Sequence, residues 1–102
     1  MTDTLLQLTL VFPDQLESAV LDALGAIAPD QPYTLLHGHG HGRDFAQASA
    51  RERVRGQVDR RALWLVGAPP ALDALIAALR GRIHSRDVVW WTAPVRAFGD
   101  FS

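Results

Sequence analysis

The chain has 102 residues, 48% of them hydrophobic, and a formal net charge of −1, which fits one folded domain and argues against a chain disordered as a whole. It contains no cysteine, so disulfides, thiolate nucleophiles and cysteine-ligated zinc are excluded. All ten basic residues are arginine, which removes a P-loop lysine and a Schiff base, and the small net charge gives no general pull toward nucleic acid or an anionic membrane.

The opening Met1-Thr2-Asp3-Thr4 lacks the basic start and apolar run of a signal peptide. No apolar stretch is long enough to cross a bilayer. A cytoplasmic protein without membrane insertion is therefore expected. Leu5 to Phe12 is apolar and reads as a first strand ended by Pro13. Pro13-Asp14 opens a helix in which Leu16, Ala19, Val20, Ala23, Leu24 and Ile27 recur at helical spacing, with a stop between Gly25 and Pro29. Tyr33 to about His41 reads as a second strand running into glycines. A polar segment from Gly42 to Arg53 reads as a mobile loop. Val54 to Val66 is a third strand and Gly67 to Pro70 a turn. Leu72, Leu75, Ile76, Leu79 and Ile83 form the stripe of a second helix, with Pro69-Pro70 at its start. Val88 to Val95 is a fourth strand, followed by a short tail from Arg96 to Ser102.

The order βαββαβ over residues 1–102 predicts one α+β domain of the ferredoxin-like kind, an antiparallel sheet with both helices on one face. The other face is expected to be apolar as well. Val89, Trp91 and Ala93 alternate with Val88 and Trp90, and Leu5 and Val11 oppose Leu6, Leu8, Leu10 and Phe12. A second apolar sheet face predicts association with further copies of the chain.

The passage His37-Gly38-His39-Gly40-His41-Gly42 holds three of the four histidines. On an extended strand, alternation places the imidazoles on one face and bare backbone on the other. Imidazole suits Zn, Cu, Ni and Co, so His37, His39 and His41 are candidate metal ligands. Asp44 or Glu52 could add an oxygen. Same-face residues lie about 6.5–7 Å apart, so three on a straight strand need a bend or a second subunit to share one ion. The competing interpretation is a glycine hinge with solvated histidines. Arg51, Arg53, Arg55, Arg60 and Arg61 could hold a phosphate or bicarbonate, or simply keep a strand edge soluble. Trp64, Trp90 and Trp91 are expected in packing, and His84 near a helix C-terminus. No nucleophile–base pair stands out, so an enzyme is not expected.

Leu8-Thr9-Leu10-Val11-Phe12-Pro13, the Gly38-to-Arg43 passage and Val88 to Arg96 together resemble the PII-like superfamily. Gly-His-Gly and Glu52-Arg53-Val54-Arg55-Gly56 are most similar to a PII-like group often encoded beside heavy-metal efflux pumps. The resemblance implies a regulatory homotrimer whose loop signals to a partner, in that group a membrane metal transporter. It also implies a cleft for an adenine nucleotide, with bicarbonate as another effector, at Gly38, Gly40, Gly42 and Arg43. Lysines serve the phosphates in PII proteins, so Arg55 and Arg96 would have to join Arg43 in replacing them. The single tyrosine, Tyr33, lies outside the loop, which argues against nitrogen signalling through a modified loop tyrosine.

Overall fold

Strand β1 (Leu5–Pro13) is the spine of the molecule. Its even-numbered residues Leu8, Leu10 and Phe12 are buried under the helices, and the odd-numbered ones face the opposite way. The computed structural model describes residues 4–41 and 58–102. After β1 come a 3-10 turn (Asp14–Leu16), α1 (Glu17–Ile27), β2 (Thr34–Gly40), β3 (Val58–Gly67), α2 (Pro69–Arg82) and β4 (Val89–Val95). The strands form one antiparallel sheet in the order β2-β3-β1-β4. This is the expected ferredoxin-like α+β arrangement.

Helix α1 forms because Val20, Ala23 and Leu24 fall on one buried stripe. It passes Gly25 and ends at Ile27, inside the expected Gly25-to-Pro29 stretch, where the Ala28 N–H donates to the Leu24 carbonyl at 2.8 Å. In α2 the two prolines occupy the first positions, where no amide hydrogen is needed. Leu72, Leu75, Ile76 and Leu79 are buried, and Arg80 and Arg82 sit at the helix end favoured by cations. These stripes close over Leu8, Leu10, Phe12, Leu63 and Leu65 to make one core.

The opposite sheet face is open. Cross-strand register aligns Thr34, Trp64, Thr9 and Trp91 in one row and Leu36, Ala62, Val11 and Val89 in the next. Trp64 and Trp91 remain 43% and 49% exposed, whereas Thr9 between them is only 5% exposed. The two indoles flank the small residue and shield it, a cross-strand packing effect. Thus the second apolar face predicted from alternation is present.

Several boundaries shift. β1 continues through Pro13, β4 begins at Val89, and β2 stops at Gly40, leaving His41 past the strand end. The expected loop from Gly42 to Arg53, and the Val54 start of the third strand, lie outside the described residues.

Phe12 has no exposed surface. Phe12→Ala should therefore lower unfolding free energy by about 3–5 kcal/mol, read as a fall in the urea midpoint at unchanged slope.

Candidate functional site

The histidine-glycine passage lies on edge strand β2, paired only with β3 within the chain. The register sets His37 opposite Arg61, Gly38 opposite Arg60, His39 opposite Asp59 and Gly40 opposite Val58. Pleating sends His37, His39, Asp59 and Arg61 to the helix side and turns the glycines toward the open side with Arg60.

On the helix side these residues form a short polar chain with the start of α1. The Arg61 Nε donates to Glu17 Oε1 at 2.6 Å, a charge-assisted bond with Arg61 largely covered and Glu17 a third exposed. His37 Nε2 stands 3.8 Å from the same Glu17 oxygen, and His39 Nδ1 lies 2.9 Å from Asp59 Oδ1. The Glu17–Arg61 pair ties the first turn of α1 to β3 and so fixes the histidine strand against the body of the domain. With Arg61→Met, Glu17 loses its charged donor; the variant should be destabilised by about 1.5 kcal/mol, measured by chemical denaturation.

Metal binding was expected at His37, His39 and His41. His37 and His39 share a face, but each is already beside a carboxylate, and His41 lies beyond the strand. Among the described residues no group of three or more histidine, aspartate or glutamate side chains is arranged to hold an ion. What fits a metal is narrower. Asp59 engages His39 through Nδ1, which leaves Nε2 available in the way that carboxylate-oriented ligands are often prepared.

On the open side, Gly38, Gly40, Arg60, Leu36 and Val11 border a recess of about 260 Å³. The Arg60 side chain lies across Gly40: a β-carbon there would overlap its Nε and Cδ, whereas one at Gly38 would meet nothing within 4 Å. Arg60 has no carboxylate partner among the described residues. A guanidinium beside a floor of bare glycine backbone can take an anion, since its planar fork offers two parallel N–H donors to one carboxylate- or phosphate-like group.

The other expected effector residues divide. Gly38 and Gly40 are on this floor, Arg96 is exposed just after β4, and Gly42, Arg43 and Arg55 lie outside the described residues. Arg60, one of the arginines expected to be able to hold a phosphate or bicarbonate, joins this floor, whereas Arg61 of the same group turns to Glu17. The cue for Arg60 was available, because an even-numbered β3 residue registers with the glycine positions, but the side chain's course over Gly40 is a diagonal contact that spacing does not reveal. No helix among the described residues is long and apolar enough to cross a membrane.

The chain belongs to the DUF3240 family, described as "Protein of unknown function (DUF3240)", whose pattern matches residues 2–102. A comparison with curated proteins finds no match. Among solved structures, a DUF3240 family protein from Shewanella baltica OS155 is similar at 17% identity and a TM-score of 0.75, covering 99% of this chain and 100% of that one. The nitrogen regulatory PII-like protein CPII of Thiomonas intermedia K12, bound to ADP, AMP and bicarbonate, matches at 11% identity and a TM-score of 0.68, covering 96% and 97%. GlnK of B. subtilis in complex with ATP matches at 16% identity and a TM-score of 0.64, covering 93% and 84%. These likenesses establish the PII-like, ferredoxin-like fold.

Proposed function

We propose that the protein is a non-enzymatic PII-like regulator, assembled as a homotrimer, that takes a small anionic effector at the root of its β2–β3 connection. The effector class is an adenine nucleotide or bicarbonate. The carrying observation is Arg60, laid over Gly40 and without a carboxylate partner among the described residues. The solved structures of CPII with ADP, AMP and bicarbonate and of GlnK with ATP support the choice of ligand class. Binding would bias the expected Gly42–Arg53 loop between two states, one of which engages a partner. The physical step is a shift between two states by a ligand that favours one.

The open sheet face supports assembly with further copies. Leu36, Trp64, Val89 and Trp91 are each two-fifths to one-half exposed, and a large apolar side chain gains roughly 1.5–3 kcal/mol on full burial. Trp91→Arg should convert the assembly to single chains, read by light scattering, while its far-ultraviolet circular dichroism stays that of the parent.

A second interpretation rests on the His39–Asp59 pair, which leaves one imidazole nitrogen able to bind a transition metal. His37 and His41, or imidazoles from neighbouring subunits, would complete the site. The partner in that case is a membrane metal transporter.

A thermal-shift series separates the two. Stabilisation by a true ligand follows RT ln(1 + [L]/Kd). ADP, AMP, ATP or bicarbonate should raise the melting temperature of the parent and of His39→Ala, and lose this effect in Arg60→Ala and Gly40→Ala. Gly38→Ala should retain it, because its added methyl meets open space. A response to Zn, Cu, Ni or Co alone, abolished in His39→Ala, would replace the anion interpretation with the metal one.

A further inference from the structure

A second apolar feature lies on the helix side, away from the β2–β3 root. The end of α2 and the start of β4 enclose an open groove of about 980 Å³ with Leu10, Leu79 and Ile83 in its lining and Trp90 as one wall. Trp90 is 42% exposed although it projects toward the helix layer. Arg80, His84 and Arg86 add basic groups to the same groove. Neither arginine has a carboxylate partner among the described residues.

The chain also carries a segment of matching chemistry with nothing to touch. Beyond β4, Phe98 is 71% exposed and Phe101 fully so. Asp100 stands between them, its carboxyl held below the ordinary value by the Ser102 hydroxyl and then by the Ser102 backbone N–H. Two aromatic side chains flanking one anion complement an apolar groove with basic residues.

In the single chain the segment stands clear of its own groove: Phe98 and Phe101 are exposed and neither lines it. Trp90 lies near the start of β4 and the segment leaves from Val95 at the far end. Those five residues of strand span about 16–17 Å. Phe98, three residues past Val95, can return at most about 10–11 Å, whereas Phe101, six residues past it, can return about 20–22 Å. A neighbouring copy can take both aromatic side chains without the segment doubling back along its own strand.

We propose that the Phe98–Phe101 segment of one copy docks in the α2–β4 groove of the next, with Asp100 against Arg80 and Arg86. Tail-into-groove contact is head-to-tail, and such contacts close into a ring under cyclic symmetry. The inference rests on the assembly proposed above but uses the other side of the sheet. The oligomer would then be held by two separate surfaces.

The cysteine-free chain allows a direct test. Ala77 is exposed and borders the groove, and Ala71 is exposed at the opposite end of α2. The double variant Ala77→Cys with Phe101→Cys, oxidised with diamide, should form disulfides between copies. Covalent species up to a closed ring should appear on a non-reducing gel. The rate should exceed that of Ala71→Cys with Phe101→Cys by at least about tenfold, because docking raises the local thiol concentration. Asp100→Arg added to the reactive pair should slow it, and Arg80→Asp with Arg86→Asp added to that variant should restore the rate. Equal rates for the two cysteine pairs, in a reduced protein that light scattering shows to be oligomeric, would overturn the docking while leaving the assembly intact. A reduced protein of single chains would overturn both.

Discussion

The structure depends on β1 packing one side of its pleat under the helices while sitting between two antiparallel partners whose other side carries large apolar groups. Leu8, Leu10 and Phe12 are fully or nearly fully covered by the helices. Their neighbours Thr9 and Val11 face the other way, between β3 and β4. A half-solvated antiparallel sheet carries polar residues on that face, as β1 does with Gln7 and Thr9, but the flanking strands add Trp64, Val89 and Trp91. Here Thr9 is protected by Trp64 and Trp91, which are themselves left half-wet. The single chain therefore satisfies one face of its sheet and leaves the other short of contacts. The proposed assembly follows from that imbalance, since an identical copy supplies a surface of the same chemistry.

The same pleat that creates two apolar faces sorts the chemistry of the β2–β3 root. Carboxylates and imidazoles fall on the helix side, where Glu17 can reach Arg61. The glycines and Arg60 fall on the open side, which the proposed oligomer would cover. Arg60, with no carboxylate partner among the described residues, is costly to cover unless an anion accompanies it, because desolvating a lone charge is penalised far more than desolvating a paired one. Effector binding and subunit association would then be linked through one side chain. The histidines are decoupled from that seam by parity alone.

Much of this was legible in the residue pattern. Alternation in Leu5–Phe12 and Val88–Val95 is a period-two signal strong enough to place Trp90 and Trp91 on opposite faces, and the structure agrees. Helical stripes in α1 and α2 were equally plain, and α1 passes Gly25 to end at Ile27 because burial of Val20, Ala23 and Leu24 outweighs the modest helix penalty of one exposed glycine. The site was less legible. Three imidazoles in strict alternation predicted one shared face, but the strand ends at Gly40 and only His37 and His39 share it. The partners Glu17, Asp59 and Arg60 come from elsewhere in the chain, and their proximity is set by strand register and the entry angle of α1. Neither quantity is encoded by local spacing.

Register also explains why glycine matters at one position and not two. Gly38 and Gly40 look equivalent in sequence, each between histidines. Across the strand pair, Gly38 faces Arg60 directly while the arginine's long side chain leans along the strand toward Gly40. Only Gly40 therefore lies beneath the guanidinium arm, and its missing β-carbon is what lets the arm lie flat. A side chain at Gly40 would lift Arg60 away from the sheet, into the space that a second copy is proposed to fill. The backbone at Gly40 thus controls whether the charge rests in the recess or obstructs the seam. That makes this glycine, rather than the adjoining histidines, the point where the local chemistry meets the proposed assembly.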